Sequence, residues 1–192
     1  MKKYNKGQLG YYKNKKTILG IICLIGFLLI FGIYLTGYMI AGNNKNTLTI
    51  LAIILFIPTA KFLVDYFLLP WKSFATKEEL DYVSETAAPL QVYAELLMTA
   101  GEKRYQISYL VVGKDETIIA FTKNSKSDCQ VFAKSVKNFL NYYNFDSKIE
   151  LFTDYEAFLD KCRELAVINE NLTEEEDEHI MLVVEKVSIM SV

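Results

Sequence analysis

Lys61 and Asp65 stand four residues apart in a run that is otherwise apolar, LTILAIILFIPTAKFLVDYFLLPWK from Leu48 onward. On a helix that spacing puts both side chains on one face, where an ammonium and a carboxylate can neutralise each other. Ionisable groups inside an apolar span are candidates for an ion or proton path, or for a polar contact with another helix. Lys61 falls about 20 Å along a straight helix from Leu48. That is deep enough in the inner half for its long stem to snorkel to an interface. Pro58, just upstream, removes one backbone hydrogen bond and favours a kink.

The other residue types that carry chemistry are dispersed. Asp115 and Glu116 read as a turn, Asp146 precedes a strand, and Asp154, Glu156 and Asp160 lie on or beside one helix. A hydrolytic or metal-binding pair needs two such acids converging in a cleft; held apart, they are solvated surface charge. His179 is the only histidine, so a nucleophile–base pair would have to draw on an imidazole within an acidic run. Cys23, Cys129 and Cys162 show no CxxC spacing, which disfavours zinc, and a cytoplasmic setting keeps them as thiols. After residue 72 the only glycines are Gly101 and Gly113. Neither a phosphate loop nor a dinucleotide fingerprint can be built from them. No catalytic, cofactor-binding or metal-ligating residue is therefore assigned.

The elements that must position these residues begin with two apolar runs. Residues 18–41 carry no charge, and after GNNKNT a second run covers residues 48–69. About 20 helical residues cross a hydrocarbon core of about 30 Å, so the expectation is a membrane hairpin over residues 17–72. Ahead of it, residues 1–16 form a basic tail holding Lys2, Lys3, Lys6, Lys13, Lys15 and Lys16 and no acid, while the connecting loop holds only Lys45. Lysine excess marks the cytoplasmic side, so both termini are placed inside a cell membrane crossed twice. The first run exceeds the apolar core of a signal peptide, and no small-x-small cleavage site follows it. Tyr4, Tyr11, Tyr12, Tyr66 and Trp71 suit the inner interface. Gly32-x-x-x-Thr36 and Gly37-x-x-x-Ala41 are small-residue pairs expected to pack the first helix on the second.

Charge divides sharply along the chain. Residues 1–72 hold nine lysines against Asp65 alone, whereas residues 73–192 hold twelve basic and 22 acidic residues. The lysine tail is suited to anionic headgroups. The acidic remainder, with only Arg104 and Arg163 as guanidinium groups, disfavours nucleic acid.

Residues 73–192 suffice for one small cytoplasmic α/β (α+β) domain. Thr76-x-x-Glu79 has the capping-box spacing for a helix ending before Pro89. QVYAELLMT, YQISYLVVG and TIIAFTK read as three antiparallel strands, although the first could continue the helix. Ser127-x-x-Gln130 opens a helix with the buried stripe Cys129, Phe132, Val136, Phe139, Leu140 and Tyr143. KIELFT is a strand, and Thr153-x-x-Glu156 starts a helix whose stripe is Tyr155, Phe158, Leu159, Cys162 and Leu165. Thr173-x-x-Glu176 suggests a last helix, with MLVVEKVSIM open to pairing as an edge strand. The expected order is α-βββ-α-β-α, then helix or strand.

That order resembles the core of the restriction-endonuclease-like superfamily over about residues 76–153. The resemblance implies an acid on the second strand and an acid-x-Lys on the third, holding a metal for phosphodiester hydrolysis. Here Ser108 and Ala120-Phe121-Thr122 stand at those places, so the resemblance implies a fold without the nuclease. The layout also resembles bacterial proteins with a basic tail, a short hairpin and a small α/β domain, a likeness that implies no activity. Together these features point to a membrane-anchored interaction or regulatory module without catalysis, meeting a protein partner or a second copy of itself. The alternatives are a divergent metal-dependent hydrolase and a small accessory subunit of a transport complex built on Lys61 and Asp65.

Overall fold

The uncharged run at residues 18–41 is helical throughout, in a helix that starts well before it. In the computed structural model, which describes residues 5–191, α1 spans Tyr11–Ala41. Lys13, Lys15 and Lys16 therefore fall in the first turns of α1, since lysine is a good helix former and nothing there breaks the helix. Helix α2 spans Thr47–Leu68 and continues through Pro58. Asn46 caps it, accepting the Thr49 N–H at 2.9 Å, as an amide side chain does for a helix's orphan donors. Both helices are long and apolar enough to cross a membrane.

Small residues let these two helices approach. A Cβ on Gly26 would lie 2.8 Å from Thr59 Cγ2, and one on Gly37 would lie 2.8 Å from Leu48 Cβ. Gly32 faces open space. Of the two small-residue pairs, only the Gly37 end is thus used between the helices, while Gly26 contributes a contact that the pairs did not include. Many apolar side chains of the two helices stay exposed, Leu28 at 63% and Ile57 at 69% among them. Such surface has no favourable home in water.

Two compact units partition the chain. One runs from Tyr12 to Lys72; the other combines the residues up to Tyr11 with Ser73 onward. The second contains α3 (Lys77–Ala87), β1 (Val92–Ala100), β2 (Lys103–Gly113), β3 (Thr117–Phe121), α4 (Cys129–Asn141), β4 (Lys148–Phe152), α5 (Tyr155–Ile168) and α6 (Glu174–Ile189). The expected order holds. The β1 segment is a strand rather than a continuation of α3, and the closing segment is helical. Among the described residues, one antiparallel bridge, Met98 to Ser191, follows α6 onto the sheet.

The sheet runs β1-β2-β3-β4. Its first three strands are an antiparallel meander, and β4 pairs parallel to β3 after the α4 crossover. α3 packs with α5 and α4 with α6, and β2 is buried without a break from Ile107 to Gly113. Helices therefore cover both faces of the sheet, as parallel pairing with a crossover helix requires. The two amphipathic stripes lie where the 3.6-residue period puts them: Phe132, Val136 and Leu140, then Phe158, Leu159, Cys162 and Leu165, are all buried.

Two helix starts differ by one residue from the capping-box spacing. Asp128 and Asp154, rather than Ser127 and Thr153, cap α4 and α5, accepting the Val131 and Ala157 N–H groups at 3.0 and 2.8 Å. A carboxylate also meets the positive end of the helix dipole, which a hydroxyl does not. At Thr173 the full box is present, with Glu176 bonded back to the cap.

Candidate functional site

The residues singled out by sequence do not form one site. Lys61 is exposed and Asp65 half-buried in α2, and no ion pair joins them. Among the basic residues, Lys2 and Lys3 lie outside the described residues. Lys13 and Lys15 are on the first turns of α1. Lys16 is 9% exposed, with Nζ 3.4 Å from the Trp71 ring centroid, 5.0 Å from that of Tyr66, and donating to the Leu69 carbonyl at 3.2 Å. A cation between two aromatic faces is held by their quadrupoles, so in this structure Lys16 ties the base of the hairpin together. Lys6 donates to the Ser191 carbonyl at 2.6 Å.

Lys6 belongs to a segment whose role sequence reasoning missed. Residues 5–10 lie along the open edge of β1: the Ala94 N–H donates to the Gly7 carbonyl at 2.7 Å, and Leu9 packs on the core. Gly7 has φ +83°, and a Cβ there would come 2.9 Å from Tyr93 Cδ1, so only glycine fits. Glu95, 2% exposed and at φ +53° in the middle of β1, fastens this segment. Its Oε2 accepts the Gly10 N–H at 2.6 Å, and its Oε1 accepts the Ser73 hydroxyl. Gly10 immediately precedes α1 and Ser73 opens the return of the chain after α2. One buried carboxylate therefore binds the segments on both sides of the hairpin. Alongside it, Ser108 donates to the Phe74 carbonyl at 2.7 Å, and the Tyr109 hydroxyl receives the Thr76 N–H at 3.0 Å and donates to Glu79 at 2.8 Å. Burial holds the Tyr109 phenol well above its usual range, so it stays a donor.

Two of the acids come together, and a third does not. Asp115 and Asp146 line one cleft of about 440 Å³ with Lys114, Glu116, Glu175, Glu176, His179 and Ile180, whereas Asp154 is spent on capping α5. Asp115 and Glu116 occupy consecutive left-handed positions, φ +51° and +55°, between Lys114 and Thr117, whose N–H donates to the Lys114 carbonyl at 3.1 Å. That is the φ signature of a type I′ turn, where Asn-Gly or Asp-Gly is favoured. The turn aims Glu116 at α6: Oε1 lies 3.2 Å from His179 Nε2, and Oε2 is buried without a partner. Phe145 stands edge-on to the imidazole at 5.6 Å.

Around this pair the charges are neutralised locally. Lys114 meets Glu176 at 3.0 Å and Lys137 meets Asp146 at 2.9 Å. Glu176 is pulled from its ordinary 4.5 to about 2, first by the Thr173 N–H, then by Lys114 and the Thr173 hydroxyl. Lys137 likewise lowers Asp146. Among the described residues no group of three or more His, Cys, Asp or Glu is placed to hold a metal. At the places the nuclease-like resemblance makes important, Ser108 is bonded to backbone and Ala120, Phe121 and Thr122 are buried. His179 and Glu116 are 63 residues apart, and no local spacing could have joined them.

A second feature lies on α6. Ile180, Val183, Val184 and Val187 face the core, while Met181, Leu182 and Ile189 are 56%, 49% and 55% exposed. Met181 and Leu182 line a groove with Tyr93, Val184, Glu178 and Glu185. No family model, curated protein or solved structure matches the chain.

Proposed function

We propose that this chain is a membrane-anchored interaction or regulatory module whose α/β domain sits on the cytoplasmic side. The observation that carries this reading is the joint construction of the domain from both flanks of the apolar hairpin. Residues 5–10 and residues from 73 onward meet at Glu95 and along β1. Two flanks that fold together must lie on one side of a bilayer, so the apolar segment between them crosses an even number of times. The lysine excess of the first flank supports the inside as that shared side.

Site-directed labelling tests the arrangement. In intact cells a membrane-impermeant maleimide is expected to modify Asn44→Cys in the connecting loop and to spare Glu102→Cys until the membrane is opened. Labelling of both, or of Glu102→Cys alone, refutes it. The module reading itself predicts that in-cell crosslinking followed by purification in mild detergent recovers one recurring partner or a defined self-assembly.

One observation favours a second reading, a divergent hydrolase: Asp115, Asp146 and His179 share a cleft. It predicts a hydrolytic activity of the purified chain that Asp146→Asn and His179→Gln each reduce by at least about a hundredfold, the ordinary scale of acid–base catalysis.

A further inference from the structure

We infer that the groove on α6 is the docking face for a helix of another protein that carries basic residues on either side of a short apolar centre. This rests on the module reading and names its partner. The face has a simple arrangement. Glu178, Leu182, Glu185 and Ile189 follow the 4-3-4 spacing of one helical stripe, and Met181 stands beside it. Two apolar side chains thus lie between two acids spaced about 10.5 Å along the axis. Tyr93 of β1 forms the opposite wall, and aromatic walls of this kind are enriched where partners anchor. Val184 closes the floor at 9% exposure.

Charge selects the occupant. Among the described residues the groove lining holds no cation, and Asp177 is close enough to raise the Tyr93 phenol further than burial alone does. The first turn of α6 adds Glu174 and Glu175. Lys186 bonds Glu185 at 2.9 Å and lies over the Tyr143 ring at 5.6 Å, an exposed contact that a better-placed cation can exchange at little cost. A second copy docked antiparallel on this face would set Glu178 against the other copy's Glu185, and parallel docking would set each acid against itself. An anionic bilayer surface is repelled in the same way. A helix with lysine or arginine one turn to either side of paired leucines satisfies both ends and covers the apolar centre, the helix-in-groove mode of recognition.

The test uses the full chain in a neutral detergent and two synthetic helical peptides as probes. Both carry central leucines; one is flanked by lysines, the other by glutamates at the same positions. Fluorescence anisotropy is expected to show the lysine peptide binding at least about tenfold more tightly, the yield of two exposed ion pairs. Leu182→Glu should abolish binding, and the double variant E178K/E185K should invert the preference. All three positions are exposed, and an unchanged Tm shows that the fold is kept. Equal affinity for the two peptides, or binding indifferent to Leu182→Glu, overturns the assignment. So does self-association of the full chain that Leu182→Glu dissolves, since the occupant is then a second copy. A photo-crosslinker at Tyr142, exposed at 83% and outside the groove, separates the two readings. A recurring partner captured there while the α6 probes fail leaves the module standing and removes this face.

Discussion

Glu95 combines three features that rarely coincide in one residue: near-complete burial, a carboxylate, and a left-handed backbone in the middle of a strand. A non-glycine residue in that conformation costs about 1–2 kcal/mol, and it persists where the surroundings over-determine it. Here the surroundings are the Gly10 N–H and the Ser73 hydroxyl. Glu95→Ala leaves the Gly10 N–H without its acceptor, while the Ser73 hydroxyl keeps the Ala75 carbonyl at 2.6 Å, and we expect a loss of about 1–2 kcal/mol in urea unfolding of the full chain. Gly113 is constrained differently: a Cβ would approach Leu165 Cδ2 to 2.4 Å and the Asn169 amide to 3.1 Å. Asn169 is fully buried and accepts the Lys114 N–H at 2.8 Å. Gly113→Ala should therefore cost about 1–3 kcal/mol by overpacking. Burial pushes the Cys162 thiol up to about 12, so its thiolate is scarce and alkylation of Cys162 should follow global unfolding rather than precede it. Sequence could place Cys162 on a buried stripe because period is local. It could not nominate Glu95, because an acid among strand residues looks the same whether it faces water or two donors from distant segments.

At the level of elements, α6 is held at its start by charge. Glu176 is depressed from 4.5 to about 2 in the folded chain. Its contribution is therefore complete above about pH 4.5 and is lost as pH falls toward 2. The Tm of the wild type should decline through that window relative to Glu176→Gln, whose curve lacks this component; parallel curves would show that the contacts of Glu176 with Thr173 and Lys114 do not matter in solution. The β2–β3 turn makes an opposite prediction. Glycine at position 116 would accept φ +55° without strain. The exposed pairing with His179 that it removes is worth little. Glu116→Gly should thus leave stability unchanged or raise it by up to about 1 kcal/mol. If it also removes function, the turn keeps its glutamate at a cost in stability. The helix starts show how local chemistry competes. Ser127 and Thr153 have the right spacing, yet the aspartates one residue later win because a charged acceptor suits the dipole better.

For the whole molecule, residues 6–10 are a structural part of the domain built from residues 73 onward. Gly7 and Leu9 cover the edge of β1, and Lys6 reaches Ser191 near the opposite end of the sequence. An uncovered edge strand invites pairing with other chains. Deleting residues 1–10 is therefore expected to lower the Tm of the domain and to promote aggregation, visible by light scattering, even though a basic tail alone would be dispensable to folding. An unchanged Tm would mean that the segment is not held in solution.

By itself the sequence determined the two apolar helices, the order of strands and helices after them, and the buried stripes. Each depends on a repeat of 2 or 3.6 residues, or on the length of an uncharged run, and such signals are carried by neighbours in the chain. Tertiary structure alone decided that residues 5–10 join β1, that Glu95 grips both flanks of the hairpin, that Lys16 lies between Trp71 and Tyr66, and that Glu116 meets His179. It also decided which side of α6 the core takes and which it leaves uncovered. These are pairings between positions far apart in sequence. What settles them is packing and the need of each buried polar group for a partner, and neither leaves a local pattern to read.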